Sequence, residues 1–148
     1  MTRPFAFLLP LLVSVPMVSP PIGLDEGDQD PVALAGVARV SQIEFAALRA
    51  SGRLVVVDVR QRATWRKGHI PGALSVPLQS VEAEADALIA AAAGRRIVTY
   101  CSCSAEQTSA RAVTILARHG AATAAALAGG FDAWVAAGGR PAGGLSRQ

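Results

Sequence analysis

The chain holds two cysteines, Cys101 and Cys103, separated by a single serine. A pair this close encloses almost no chain and cannot staple a fold together. With only two histidines, His69 and His119, far apart in sequence, a zinc site has too few ligands. No metal or other cofactor is therefore expected, and the thiols are either reagents or buried residues. Cys101 is followed by Ser102, Cys103, Ser104, Ala105, Glu106, Gln107 and Thr108, all small or polar, with neither glycine nor arginine. Between a strand and a helix, such a stretch can curl so that successive backbone N–H groups point at one anion. The positive end of a helix just beyond adds to that field. Together they can depress a thiol pKa without a histidine partner. Cys101 is thus the candidate nucleophile and residues 102–108 the candidate anion-binding loop. The hydroxyls of Ser102, Ser104, Thr108 and Ser109 are further donors. Cys103 could resolve a sulfenate or persulfide on Cys101, although the ring of a Cys-x-Cys disulfide is strained. Cysteine is also among the most buried residue types, and the loop alone leaves both readings open.

Reactive groups need elements to hold them. Residues 96–100 predict a strand that delivers Cys101, and Ser109 to His119 a helix with Ala112, Ile115 and Leu116 facing inward. Residues 54–59, LVVVDV, form an apolar run interrupted only by Asp58, the pattern of a parallel strand buried on both faces. A carboxylate there must be paired; Arg60, two residues on, is the partner at hand, and both are read as supporting residues. Ser41, with Glu44 three residues later, predicts a capping box opening a helix that stops at Gly52. Residues 81–93 predict a helix ended by Gly94. Residues 74–77 predict a short strand, 123–127 a weak alanine-rich one, and 131–137 a last helix. His69 lies in a turn and reads as structural, while Trp65 and Trp134 pack the edge of the domain. Strand and helix alternate about five times, which implies an α/β domain with a parallel sheet covered on both sides. Ligands of such sheets sit beyond the carboxyl ends of the strands, and Cys101 stands at one.

The 148 residues suit one domain, and a hydrophobic content of 51% suits a globular core. From Arg39 onward thirteen basic side chains face seven acidic ones. That mild excess favours small anions and is too weak and dispersed for nucleic acid. Residues 1–24 contain Arg3 and then the apolar run FAFLLPLLVSVPMV, broken by Pro10 and Pro16. The pattern is that of a signal peptide, which implies export to a periplasm or beyond; an uncleaved membrane tether and a simple tail are the other readings. Residues 25–36 form an acidic linker, 37–141 the domain and 142–148 a flexible tail.

Three stretches resemble the signatures of rhodanese-like domains. VVVDVRQRATWRKGHIPGALSVPL is similar to the first, with its Asp-x-Arg and Gly-His-Ile-Pro-Gly-Ala. IVTYC with a helix beginning SARA is similar to the active-site strand and helix, and LAGGFDAWVAAGGRP to the closing signature. The resemblance implies a three-layer α/β/α domain with a five-stranded parallel sheet. It also implies a sulfurtransferase: Cys101 takes sulfane sulfur from a small anionic donor such as thiosulfate, holds it as a persulfide and passes it to cyanide or a thiol. A sulfur-carrier or redox-sensing module using Cys101 and Cys103 is the alternative. The phosphatase and arsenate-reductase branch of the fold needs an arginine closing Cys-x5-Arg. Gln107 and Ser109 hold that position counted from the two cysteines, and Arg111 lies too far along. The loop also departs from the family pattern, being longer and lacking a glycine and a basic residue. Glu106, if it faces inward, is expected to weaken binding of thiosulfate. Thr64 stands where the family usually has an acid, so Arg60 is expected to lack its customary partner.

Overall fold

The computed structural model describes residues 36–102 and 106–144. The sheet has five strands in the order β1-β5-β4-β2-β3, with every pair parallel. The strands are β1 (Arg39–Val40), β2 (Leu54–Asp58), β3 (Leu74–Ser75), β4 (Arg96–Tyr100) and β5 (Ala125–Leu127). Five helices alternate with them: α1 (Gln42–Ala50), α2 (Arg62–Lys67), α3 (Leu78–Ala92), α4 (Gln107–Arg118) and α5 (Gly130–Ala136). This is the three-layer α/β arrangement that the sequence implied.

Strand parity sorts the residues that matter. Val55, Val57, Ile97 and Cys101 belong to one buried cluster, with Val81, Ala85 and Leu88 of α3 and Ala112, Val113 and Leu116 of α4. Leu54, Val56, Val98 and Tyr100 belong to the other, with Phe45 of α1, Ile70 and Trp134 of α5. Every residue of β2 is buried, which is why its sequence reads as an unbroken apolar run around one acid. The alternation gives Cys101 to the face of α4 and Tyr100 to the opposite face.

The boundaries differ from expectation where local backbone geometry takes over. Helix α4 begins at Gln107, two residues before Ser109, because Glu106 adopts the left-handed conformation (φ 57°) and turns the chain into the helix. The connection from β4 to α4 is therefore residues 101–106, and Gln107 and Thr108 are helical. Helix α3 begins at Leu78 rather than at residue 81, directly after Pro77, whose extended backbone (φ −52°, ψ 146°) makes it the N-cap. Strand β5 begins at Ala125, because residues 120–124 form turns closed by Ala122 N–H to Gly120 O and Ala124 N–H to Ala121 O, both 2.9 Å. Only half of the capping box is made. Ser41 Oγ accepts from Glu44 N–H at 3.1 Å, while the Glu44 carboxylate receives Arg96 at 2.7 Å. The tail expected at residues 142–148 is partly tied down: Ala142 exchanges two 2.9 Å backbone hydrogen bonds with His69, and Gly144 N–H donates to Arg66 O. The expected signal or tether, residues 1–24, and residues 25–35 of the linker lie outside the described residues. Among the described residues no helix is long and apolar enough to cross a membrane.

Candidate active site

Cys101 leaves the central strand β4 and is almost fully buried, at 2% exposure. Its backbone is fixed from the far side of the site. Phe131 N–H donates to Cys101 O at 2.9 Å, and any Cβ on Gly130 would overlap that carbonyl. The glycine, held at φ 58°, thus lets the start of α5 press against the strand end. The Cys101 thiol meets Ser109 Oγ at 3.6 Å. That hydroxyl is buried in the first turn of α4 and donates to Glu106 O at 2.9 Å. A hydroxyl can turn its hydrogen toward a thiolate when one forms, so Ser109 together with the positive end of α4 favours the ionised sulfur.

The thiol lines a cavity of about 320 Å³ with Val59, Arg60, Gln61, Leu78, Gln79, Ser102 and Thr108. Its lining holds one charged side chain, Arg60, and otherwise amides, hydroxyls and aliphatics. A larger groove of about 560 Å³ runs along α1 and α5 beside Phe45, Arg49, Trp134 and Arg140. It has no thiol in its lining, so the smaller cavity is where nucleophilic chemistry is available.

Arg60 is held by Asp58, the partner that the sequence offered. Fully buried Asp58 accepts from Arg60 Nε at 2.9 Å, from Arg60 Nη2 at 2.6 Å and from Arg60 N–H at 2.9 Å. Tyr100 Oη–H donates to the same carboxylate at 2.6 Å and accepts Ile70 N–H at 3.1 Å. The second nitrogen of the guanidinium also donates to Gly68 O at 2.7 Å, and its first to Ser102 Oγ at 3.2 Å. The planar cation lies 4.2 Å from the Phe131 ring centre, a cation–π distance. Burial works against the charge of Arg60, but the Asp58 bond and attraction outweigh it and raise its pKa. Burial, then the Asp58 carboxylate, pushes the Tyr100 phenol up, so it stays protonated as a donor.

Glu106 faces away from the sulfur. Its carboxylate accepts from Arg39 Nε at 2.8 Å and from Gly129 N–H at 2.6 Å, across the end of β1 and β5. Its expected interference with an anion at Cys101 is thereby removed. Among the other expected loop residues, Ser102 and Thr108 reach the cavity, whereas Gln107 is exposed. Cys103, Ser104 and Ala105 lie outside the described residues, and with them the resolving role of Cys103. His69 is structural as expected: its Nδ1 is 2.8 Å from Trp65 O and its ring stacks on Trp65 at 3.9 Å. Trp134 is buried under α5. Among the described residues no cluster of His, Cys, Asp or Glu is placed to hold a metal ion.

Sequence reasoning did not foresee Gln61, Gln79, Tyr100, Arg39 or Phe131. Of these only Tyr100 carried a signal, as a phenol in a buried strand that requires a polar partner. The others arrive from elements whose mutual placement depends on the finished sheet.

The Rhodanese-like domain family matches residues 41–137. The chain belongs to this family. The rhodanese-like domain is 45% identical over 49 residues to human thiosulfate:glutathione sulfurtransferase, a match covering 33% of this chain and 43% of that protein. The chain spans less than half the length of the curated relatives it matches. Among solved structures, the human single-domain sulfurtransferase is similar at 28% identity and a TM-score of 0.57, covering 68% of this chain and 97% of that one. A Rhodopseudomonas palustris protein of unknown function, called a possible tyrosine phosphatase, is similar at 27% identity and a TM-score of 0.66, over 84% of this chain and 100% of that one. The family and the fold are thus shared with proteins named as sulfurtransferases.

Proposed function

We propose that this rhodanese-like domain transfers sulfane sulfur through a persulfide on Cys101. The observation that carries the reading is the placement of the Cys101 thiol at the end of β4, lining a cavity and touching Ser109 Oγ at the start of α4. In the first step the Cys101 thiolate attacks the outer sulfur of a donor such as thiosulfate. The donor's S–S bond breaks and its electron pair leaves with sulfite, while a new S–S bond forms on Cys101. In the second step an acceptor thiolate or cyanide attacks the terminal sulfur, and the Cys101 thiolate departs with the bonding pair. Neither step needs an outside oxidant or a metal. Hydroxyls of Ser102 and Thr108 and the edge of Arg60 border the space where the leaving anion develops charge.

A phosphatase reading is disfavoured by the same geometry. Phosphoryl transfer on such a loop needs an arginine at its end, and the residues at that spacing are exposed Gln107 and buried Ser109. For residues 1–24 the proposal is export, with membrane tethering as the alternative, and amino-terminal sequencing of the mature protein tests it. For sulfur transfer the test is intact mass after incubation with thiosulfate. The expected result is a gain of one sulfur atom, reversed by cyanide and abolished by Cys101→Ser; a Cys101→Ser protein that keeps the added sulfur and full turnover would falsify the assignment.

A further inference from the structure

Glu106 is an acid within the connection that cradles the nucleophile, a place where a negative charge disfavours a thiolate and an anionic substrate. It is also one of two described non-glycine residues with positive φ, a conformation costing about 1–2 kcal/mol outside glycine. Residue and conformation both run against the chemistry of the site, yet the side chain is well partnered. Arg39 Nε and Gly129 N–H donate to its two carboxylate oxygens at 2.8 and 2.6 Å. The side chain is 11% exposed, against 38% for Arg39. Its backbone is as engaged as its side chain. Glu106 O accepts from Ser109 Oγ at 2.9 Å and from Ala110 N–H at 2.8 Å, and Ser109 Oγ meets the Cys101 sulfur at 3.6 Å.

We infer that the Arg39–Glu106 pair is a positioning latch: it draws the acid of the loop aside and supplies its counter-charge, so that a thiolate can form on Cys101. Both residues act through the charge that the sulfur experiences. The latch joins the amino-terminal edge strand to the reactive loop, so the start of the folded domain has a part in tuning the nucleophile. Arg60, the charged side chain lining the cavity, is paired with Asp58. Arg39 is the cation paired with Glu106. Without Arg39, a side chain at 11% exposure keeps the Gly129 N–H but loses its counter-charge. The uncompensated carboxylate then disfavours a second negative charge on the sulfur and raises the thiol pKa.

The inference rests on Cys101 being the nucleophile, and its test reads the sulfur directly, without requiring turnover. The rate of iodoacetamide alkylation of Cys101 is followed against pH in the full chain, with the modified residue located by peptide mass spectrometry. Arg39→Gln is expected to move the profile up by about one pH unit, an approximately tenfold slower reaction at neutral pH. Arg39→Lys, which keeps the charge but not the fork, is expected to fall between. The deciding variant is Arg39→Gln with Glu106→Gln, where the amide still accepts from Gly129 N–H and no charge is left to neutralise. Its profile is expected to return to within about threefold of the original rate. An unshifted Arg39→Gln profile, or a double variant as slow as Arg39→Gln alone, overturns the latch. Should Arg39→Gln fail to fold, Arg39→Lys and the double variant decide alone, and identical profiles for those two and the original chain overturn it. A shifted and rescued profile in a protein that takes no sulfur from any donor would leave the latch standing and remove the proposed reaction.

Discussion

Replacing Asp58 with asparagine tests the reasoning about the buried charge network most severely. The substitution keeps the shape of the side chain but turns one carboxylate oxygen into a donor. In the native fold that carboxylate, fully buried, accepts from three nitrogens of Arg60 and from Tyr100 Oη. Asparagine can accept from some of them, but its NH2 must face a guanidinium or a phenol that also donates. The Arg60 side chain is 8% exposed, so solvent can replace little of the lost charge. Breaking one partner of a buried pair costs about 3–5 kcal/mol. The retained carbonyl and the bonds from Arg60 to Gly68 and Ser102 place the expected loss near the lower end, at about 3 kcal/mol. Against a total of about 5–15 kcal/mol for a native domain, that is a large fraction. With a urea dependence of about 1.5 kcal/mol per molar, the unfolding midpoint should fall by about 2 M, measured by far-UV circular dichroism at constant slope. Replacing both residues by apolar ones, Asp58→Leu with Arg60→Met, should recover part of the loss, because it leaves no orphaned charge. A loss under about 1 kcal/mol for Asp58→Asn, or a double variant less stable than the single one, would show that the network is not the buried, mutually dependent unit described.

Two further outcomes follow from geometry. Gly130→Ala should destabilise the fold and abolish sulfur transfer, since its Cβ overlaps Cys101 O at a positive φ; thermal unfolding and turnover read this, and near-native values for both would refute the close approach. His119 lies between Glu82 and Asp86 at 3.0 and 2.9 Å, and their hydrogen bonds raise its pKa. Its contribution is fully present below the unfolded value of about 6.5 and is lost as pH rises through the higher folded one. The hydrogen bond from His119 lowers the Glu82 pKa, so that carboxylate contributes above its own unfolded value and less as pH falls. The attachment of α4 to α3 through these groups should thus be strongest in mild acid. His119→Gln should flatten the dependence of unfolding free energy on pH there, and an unchanged dependence would refute it.

The sequence allowed the alternation of strands and helices, the family and the place of Cys101 at a strand end to be read because each is written in adjacent residues. An apolar run around Asp58 is a buried strand whatever surrounds it, and Cys101 stands at a strand end by counting alone. What could not be read is what depends on side-chain direction after the chain has turned. Glu106 counted as an inward threat because the left-handed conformation that points it toward Arg39 arises at one backbone pair. Gln61 and Gln79 gave no signal, since an amide becomes a cavity wall only when two separate connections converge.

Strand β4 lies at the middle of the sheet, bonded to β5 on one side and β2 on the other. Amides in such a position exchange with solvent only when the whole domain opens, whereas edge strands such as β3 can fray on their own. Cys101 therefore directly follows the longest-lived part of the molecule. Transient loss of β3 would leave the strand that carries it in place, so the thiol has a fixed origin while the sheet edge is free to breathe.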